Sequence, residues 1–207
     1  DNPITNDFSL DKNIIITGPN AAGKTTMLKS TLFNIILSQQ IGCGFYESAK
    51  IKPFDNIHCY LNIPDTSNRD SLFQAEARRC KDIIDVIDSD KTKTHFCIFD
   101  ELYSGTNPYE AVASALSYLS YLCSNKNIKF ILTTHYVELC KKLDILQKHN
   151  IINKHMKVKS DSNGDFNFTY KLTDRISNIK GGIKVLKDLQ YPKKIIDYTE
   201  KYINNLK

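Results

Sequence analysis

Apolar and polar positions along the chain alternate between two periods. Ile14, Ile15 and Ile16 are consecutive and β-branched, as in a strand buried on both faces. From Thr26 to about Gln39 the pattern is amphipathic and predicts a helix. Residues 49–61 (AKIKPFDNIHCYL) predict two short strands broken at Pro53 to Asn56, and 62–70, with Pro64, Asp65, Ser67 and Asn68, read as a loop. Phe73, Ala77, Ile84 and Ile87 recur at helical spacing, so a second helix is expected from Ser71 to about Asp88, with Ser71 and Gln74 forming a capping box. A strand at His95–Phe99 follows, then a helix opened by Pro108 and running to about Cys123. Lys129–Thr133 is the next strand, and a short helix follows His135. Residues 154–160 and 165–172 alternate around Asn163-Gly164, a hairpin signal. Gly181 and Gly182 precede a short helix, and Pro192 starts the last one. Residues 1–13 form a leading segment with a short strand around Phe8–Leu10. There is no internal repeat. Strands alternating with helices predict an α/β core with an antiparallel hairpin added late.

Composition changes this picture little. Apolar residues make up 41% of the 207, enough for a substantial core in one large domain or two small ones. No apolar stretch approaches the ~20 residues needed to cross a membrane. The first residue is Asp1 rather than Met, which predicts an excised piece of a longer protein. The net charge of +5 is mild, and its excess sits late, as in Lys154–Lys159 and Lys193–Lys194. A solvated lysine-rich surface accounts for it, with weak attraction to nucleic acid permitted. The six cysteines form no C-x-x-C pair, Cys97 and Cys123 fall in apolar contexts, and a reducing, intracellular compartment is expected.

The chemistry begins at the first strand. Gly18 to Thr25 fit G-x-x-x-x-G-K-[ST] without a mismatch, between a predicted strand and a predicted helix. Gly18 and Gly23 let the backbone curl so that successive N–H groups point at phosphate oxygens, and the helix N-terminus adds its positive dipole end. Lys24 then reaches the β- and γ-phosphates, and the Thr25 hydroxyl is placed to bind Mg²⁺. Asp100-Glu101 ends an apolar strand 76 residues after Lys24. In such proteins the Asp helps hold Mg²⁺, and a Glu beside it orients and deprotonates the attacking water. His135 ends the following strand. If those strands are neighbours, it too lies at the carboxyl edge of the sheet. Ser71 is an N-cap, and a capped helix N-terminus is also an anion site.

Taken together, Gly18-Pro19-Asn20-Ala21-Ala22-Gly23-Lys24-Thr25-Thr26, Ser71-Leu72-Phe73-Gln74-Ala75-Glu76, Asp100-Glu101-Leu102 with Gly105-Thr106, and Thr134-His135-Tyr136 resemble the ATPase domain of the MutS mismatch-repair family. Gln40-Ile41-Gly42, Asn153–Met156, Phe168–Leu172 and Gly182-Ile183 with Pro192 extend the resemblance over essentially the whole chain. Two departures stand out. The family usually carries Gly-Arg-Gly-Thr where this chain has Tyr103-Ser104-Gly105-Thr106, and Met and Ser where it has Ala21 and Thr25. The chain looks like a divergent branch.

The resemblance implies one ATPase domain over residues 1–207, a P-loop NTPase of ABC-ATPase type with a mostly parallel sheet, the lever, clamp and mismatch-recognition domains lying elsewhere. It implies ATP and Mg²⁺ as cofactors. A homodimer or related heterodimer would sandwich two ATP molecules, each phosphate loop facing the partner's Ser71 helix. DNA would be engaged through the missing domains, and no membrane is involved. Lys24 and the loop neutralise phosphate charge, Thr25 and Asp100 hold the metal, Glu101 is the base and His135 senses the γ-phosphate. Asn20, Ser71 and Glu76 belong to the dimer face. Two other classes stay open. A P-loop kinase needs an arginine-bearing lid, and the only arginines are Arg69, Arg78, Arg79 and Arg175. A nucleotide-gated interaction module would bind with little turnover, against which Glu101 argues. A head of the SMC kind would carry a Ser-Gly-Gly signature that is missing.

Overall fold

Alternation along the buried strands divides the core in two. In β3 (His95–Asp100), Cys97 and Phe99 join one cluster with Ile15, Phe130 and Leu132, while Phe96 and Ile98 join another with Ile14, Ile16 and Ile131. Strand side chains point to opposite faces at a period of two, so a strand apolar at every position must be covered on both sides. The computed structural model describes residues 3–61, 71–147, 149–160, 166–179 and 181–205. It shows a six-stranded sheet in the order β2-β3-β4-β1-β5-β6, with β1 at Asn13–Thr17, β2 at Asn56–Tyr60, β4 at Ile128–Thr133, β5 at Ile151–Ser160 and β6 at Phe166–Asp174. All pairings are parallel except β5 with β6.

Helix α1 (Lys24–Ile41) covers the second cluster through Met27, Leu28, Leu32 and Ile35. Helices α2 (Leu72–Ser89), α3 (Pro108–Cys123) and α4 (Val137–Leu146) cover the first. The Ser71–Gln74 capping box and the Pro108 start are as expected, Asn107 supplying the cap before Pro108. α5 (Gly181–Asp188) and α6 (Lys193–Asn205) form a helical pair joined by a 2.8 Å ion pair between Lys187 and Glu200.

Three local expectations are corrected. Phe8–Leu10 is not a strand. The Asn6 side chain donates to the Tyr170 carbonyl and accepts from the Leu172 N–H, so one amide group ties the segment to β6 where a ladder was expected. Residues 49–61 hold one strand, not two. Phe54 offers its N–H and C=O to the Gln39 side chain of α1, at 2.9 and 3.1 Å, and Pro53 has no N–H to give. Gly181 and Gly182 open α5 rather than precede it. The predicted loop at 62–70, with Arg69, and the hairpin turn at Asn163-Gly164 lie outside the described residues.

Candidate active site

The register aligns three strand ends. Ile16 pairs with Thr133, and Thr133 pairs with Asp100, so β1, β4 and β3 finish level with one another. The ladder runs one residue further, from Thr134 N–H to Ile16 O and from Glu101 N–H to Thr133 O. The loop 18–23, Asp100-Glu101 and His135 therefore emerge side by side at the carboxyl edge of the sheet.

Within that edge, Thr25 Oγ1 lies 2.9 Å from Asp100 Oδ2 and 3.2 Å from Oδ1. The Thr133 hydroxyl also donates to Asp100. A hydroxyl and a carboxylate in contact are oxygen donors of the kind a magnesium ion takes beside water and phosphate. Lys24 is buried, and its ammonium donates to the carbonyls of Gly18 at 3.0 Å and Pro19 at 3.2 Å. Burial pulls its pKa down, while Glu101 and Asp100 oppose the shift. α1 starts on Gly23 at φ 93 without a side-chain cap, which leaves first-turn N–H groups for an anion.

His135 Nε2 is 2.6 Å from Glu101 Oε1 and 3.4 Å from Lys24 Nζ. One nitrogen cannot both donate to the carboxylate and accept from the ammonium. An ionised carboxylate only accepts, so the 2.6 Å contact calls for the proton on Nε2, and that hydrogen bond is the chief reason the Glu101 carboxyl is held below its ordinary range.

Glu76 does not occupy the place expected for it. It is 2% exposed, on the inward stripe of α2 with Cys80, Ile83 and Ile87, and cannot face a partner. Its Oε1 accepts from the Ser104 N–H and hydroxyl, both at 2.9 Å, and its Oε2 from the Gly105 N–H at 3.0 Å. Ser71 and Asn20 are exposed. Ser71 bonds Gln74 in its own capping box. Tyr103, where the resembled family carries glycine, keeps φ 59 on a buried tyrosine. Left-handed backbone costs roughly 1–2 kcal/mol. Ring contacts to Phe73 at 5.8 Å and Tyr118 at 6.2 Å offset it.

One neighbour was not singled out from sequence. A Cβ on Gly23 would stand 3.2 Å from Cδ1 of Tyr170, so that ring lies against the loop. With the leading segment and residues 45–52, Tyr170 lines a wide groove that continues from Lys24 and Glu101. Only the antiparallel pairing of β6 brings it there; its place in an alternating run carries no such signal.

A family model described as MutS domain V matches residues 14–207. The chain belongs to the MutS family. It is 29% identical to the DNA mismatch repair protein MutS of Listeria monocytogenes, over 98% of this chain and 23% of that protein. It is also 29% identical to the DNA mismatch repair protein MSH2 of Saccharomyces cerevisiae, over 98% of this chain and 22% of that one. The endonuclease MutS2 of Clostridium botulinum is 29% identical over 93% of this chain and 24% of its own length. The chain thus spans about a quarter of the length of the curated relatives it matches. Within this MutS-family chain, no helix among the described residues is long and apolar enough to cross a membrane.

Proposed function

We propose that this chain is the ATP-binding and hydrolysing domain of a MutS-like DNA repair or recombination protein, a P-loop NTPase of the ABC-ATPase type. The observation that carries the reading is the convergence of Lys24, the Thr25–Asp100 contact and the Glu101–His135 pair at three level strand ends. Gly18 to Thr26 cradle the phosphates, with Pro19, Asn20, Ala21 and Ala22 forming the turn of the loop. Thr25 and Asp100 would hold Mg²⁺, which when bound neutralises phosphate charge. Glu101 takes a proton from the attacking water, and His135, between Glu101 and Lys24, contacts the γ-phosphate. The groove bearing Tyr170 takes the nucleoside end.

Asn20 and Ser71, both exposed, are left for a second subunit. ATP would close a homodimer or related heterodimer, and domains elsewhere in the parent protein would carry the change to DNA in a DNA-containing, reducing compartment. Solution mass and phosphate release, with and without ATP and with Glu101→Gln to block turnover, test this. A mass that ATP leaves unchanged sinks the dimer, and absence of phosphate release from the wild type sinks the ATPase.

A further inference from the structure

The loop that carries Glu101 is built on the first turns of α2. Glu101 itself has φ 55, and two residues later Tyr103 has φ 59. Left-handed backbone at two non-glycine residues persists only where the surroundings impose it. On one side the imposing group is the strand end, through the Glu101 N–H bond to Thr133. On the other it is Glu76, whose carboxylate takes the two successive N–H groups of Ser104 and Gly105 and the Ser104 hydroxyl. The close approach confirms the docking. A Cβ on Gly105 would lie 2.7 Å from both Leu72 Cγ and Phe73 N, so the loop backbone rests directly on the helix that Ser71 heads. Leu102 and Tyr103 are buried beneath it.

We propose that Glu76 is a positioning residue for Glu101: by clamping the 104–105 backbone to α2 it holds the catalytic carboxylate against His135 and links it to the helix headed by Ser71. The inference rests on reading Glu101 as the base of an ATPase. The Glu76 carboxylate is bonded to Ser104 and Gly105. It sets the far end of a short loop whose near end is Glu101. Because Ser71 and Glu76 share one helix, a displacement of the α2 N-terminus reaches the base through the same three hydrogen bonds.

The test is Glu76→Gln in the complete natural protein. One bond acceptor becomes an amide nitrogen that cannot accept from the backbone, while the size of the side chain is kept. A misplacement of about 1 Å at a reacting group costs up to about 10²-fold in rate. The expected result is a 10- to 10²-fold fall in kcat per folded site with KM for ATP within about twofold of wild type. The deciding readout is the double variant with Glu101→Gln, followed in single turnover. If Glu76 acts through Glu101, the double variant is no slower than Glu101→Gln alone. Losses that multiply, or a kcat unchanged in Glu76→Gln, overturn the proposal. Should Glu76→Gln fail to fold, Ser104→Ala removes one of the three bonds and is read by the same two criteria, with a few-fold loss. Wild-type protein that releases no phosphate overturns the ATPase reading and this proposal together. An active wild type with an indifferent Glu76 overturns this proposal alone.

Discussion

Glu101 and His135 are joined by a 2.6 Å hydrogen bond from Nε2 to Oε1, although 34 residues separate them and each sits on its own strand end. The bond favours the ionised form of Glu101 and fixes its carboxylate on His135, whose Nε2 is also 3.4 Å from Lys24 Nζ. The same bond that fixes the carboxylate lowers its proton affinity, so what Glu101 offers a water is a fixed, ionised acceptor rather than raised basicity.

Glu101→Gln is expected to bind Mg-ATP with wild-type affinity and to lose hydrolysis by about 10²–10⁴-fold, the usual weight of a general base. Lys24, Thr25 and Asp100, which would hold the phosphates and metal, are untouched. Nucleotide binding by calorimetry and single-turnover phosphate release check the two halves separately. Wild-type turnover in the variant removes the assignment.

Ser71 is exposed at the head of α2, as a residue serving another subunit would be. Lys24→Ala and Ser71→Arg should each be inactive. Mixed, random pairing makes about half the dimers hybrid, each with one intact site of two, so about a quarter of wild-type ATPase should return. A residue acting only as an N-cap gives a different outcome: about 1 kcal/mol of stability is lost and hydrolysis by the folded fraction persists without mixing. Phosphate release across mixing ratios separates the two. No maximum near equal mixing, with hybrids confirmed, sinks the trans assignment.

Tyr170 lies against Gly23 and lines the groove beyond the loop. Tyr170→Ala should weaken ATP binding by about tenfold, the scale of one aromatic contact, and leave inorganic triphosphate affinity unchanged. Equal losses for both ligands would place Tyr170 at the phosphates instead.

His58 and His95 stack in the interior, with His58 Nε2 and His95 Nδ1 3.0 Å apart. Burial, then His95 and Arg79, push the His58 pKa down to about 4 from 6.5. Between those values the unfolded chain binds a proton that the folded chain refuses. Stability is therefore full above about pH 6.5 and falls as pH drops toward 4, by up to about 3 kcal/mol. Urea unfolding at several pH values should show this slope in wild type and a flatter one in His58→Asn. Parallel curves would show that His58 does not titrate on unfolding.

With a net charge of +5, the chain by itself should bind duplex DNA weakly, with Kd above about 10⁻⁶ M at physiological salt and falling affinity as salt rises. Fluorescence anisotropy across a salt series measures it. Tight, salt-resistant and mismatch-selective binding would overturn the view that DNA is recognised by other domains.

Local chemistry made much of this protein readable in one dimension. Three consecutive isoleucines, a glycine loop ending in Lys24-Thr25, an apolar strand ending in Asp100-Glu101 and a Ser71–Gln74 cap each carry their physics within a few residues. Helix and strand periodicity, capping and backbone freedom act at that range, so the α/β order and nearly every candidate residue could be named from sequence. What lay beyond that reach depended on contacts distant along the chain. The pairing of β1 with β4 and β4 with β3 put Thr25 beside Asp100 and His135 between Lys24 and Glu101. The amides of Asn6 and Gln39 took hydrogen bonds at places where strands had been expected, and β6 laid Tyr170 on Gly23. Glu76 shows the division most sharply. Its motif position marked it as important, but whether its carboxylate met a nucleotide or a backbone depended on which stripe of α2 faced the core, and that was decided only when the 102–105 loop packed against the helix.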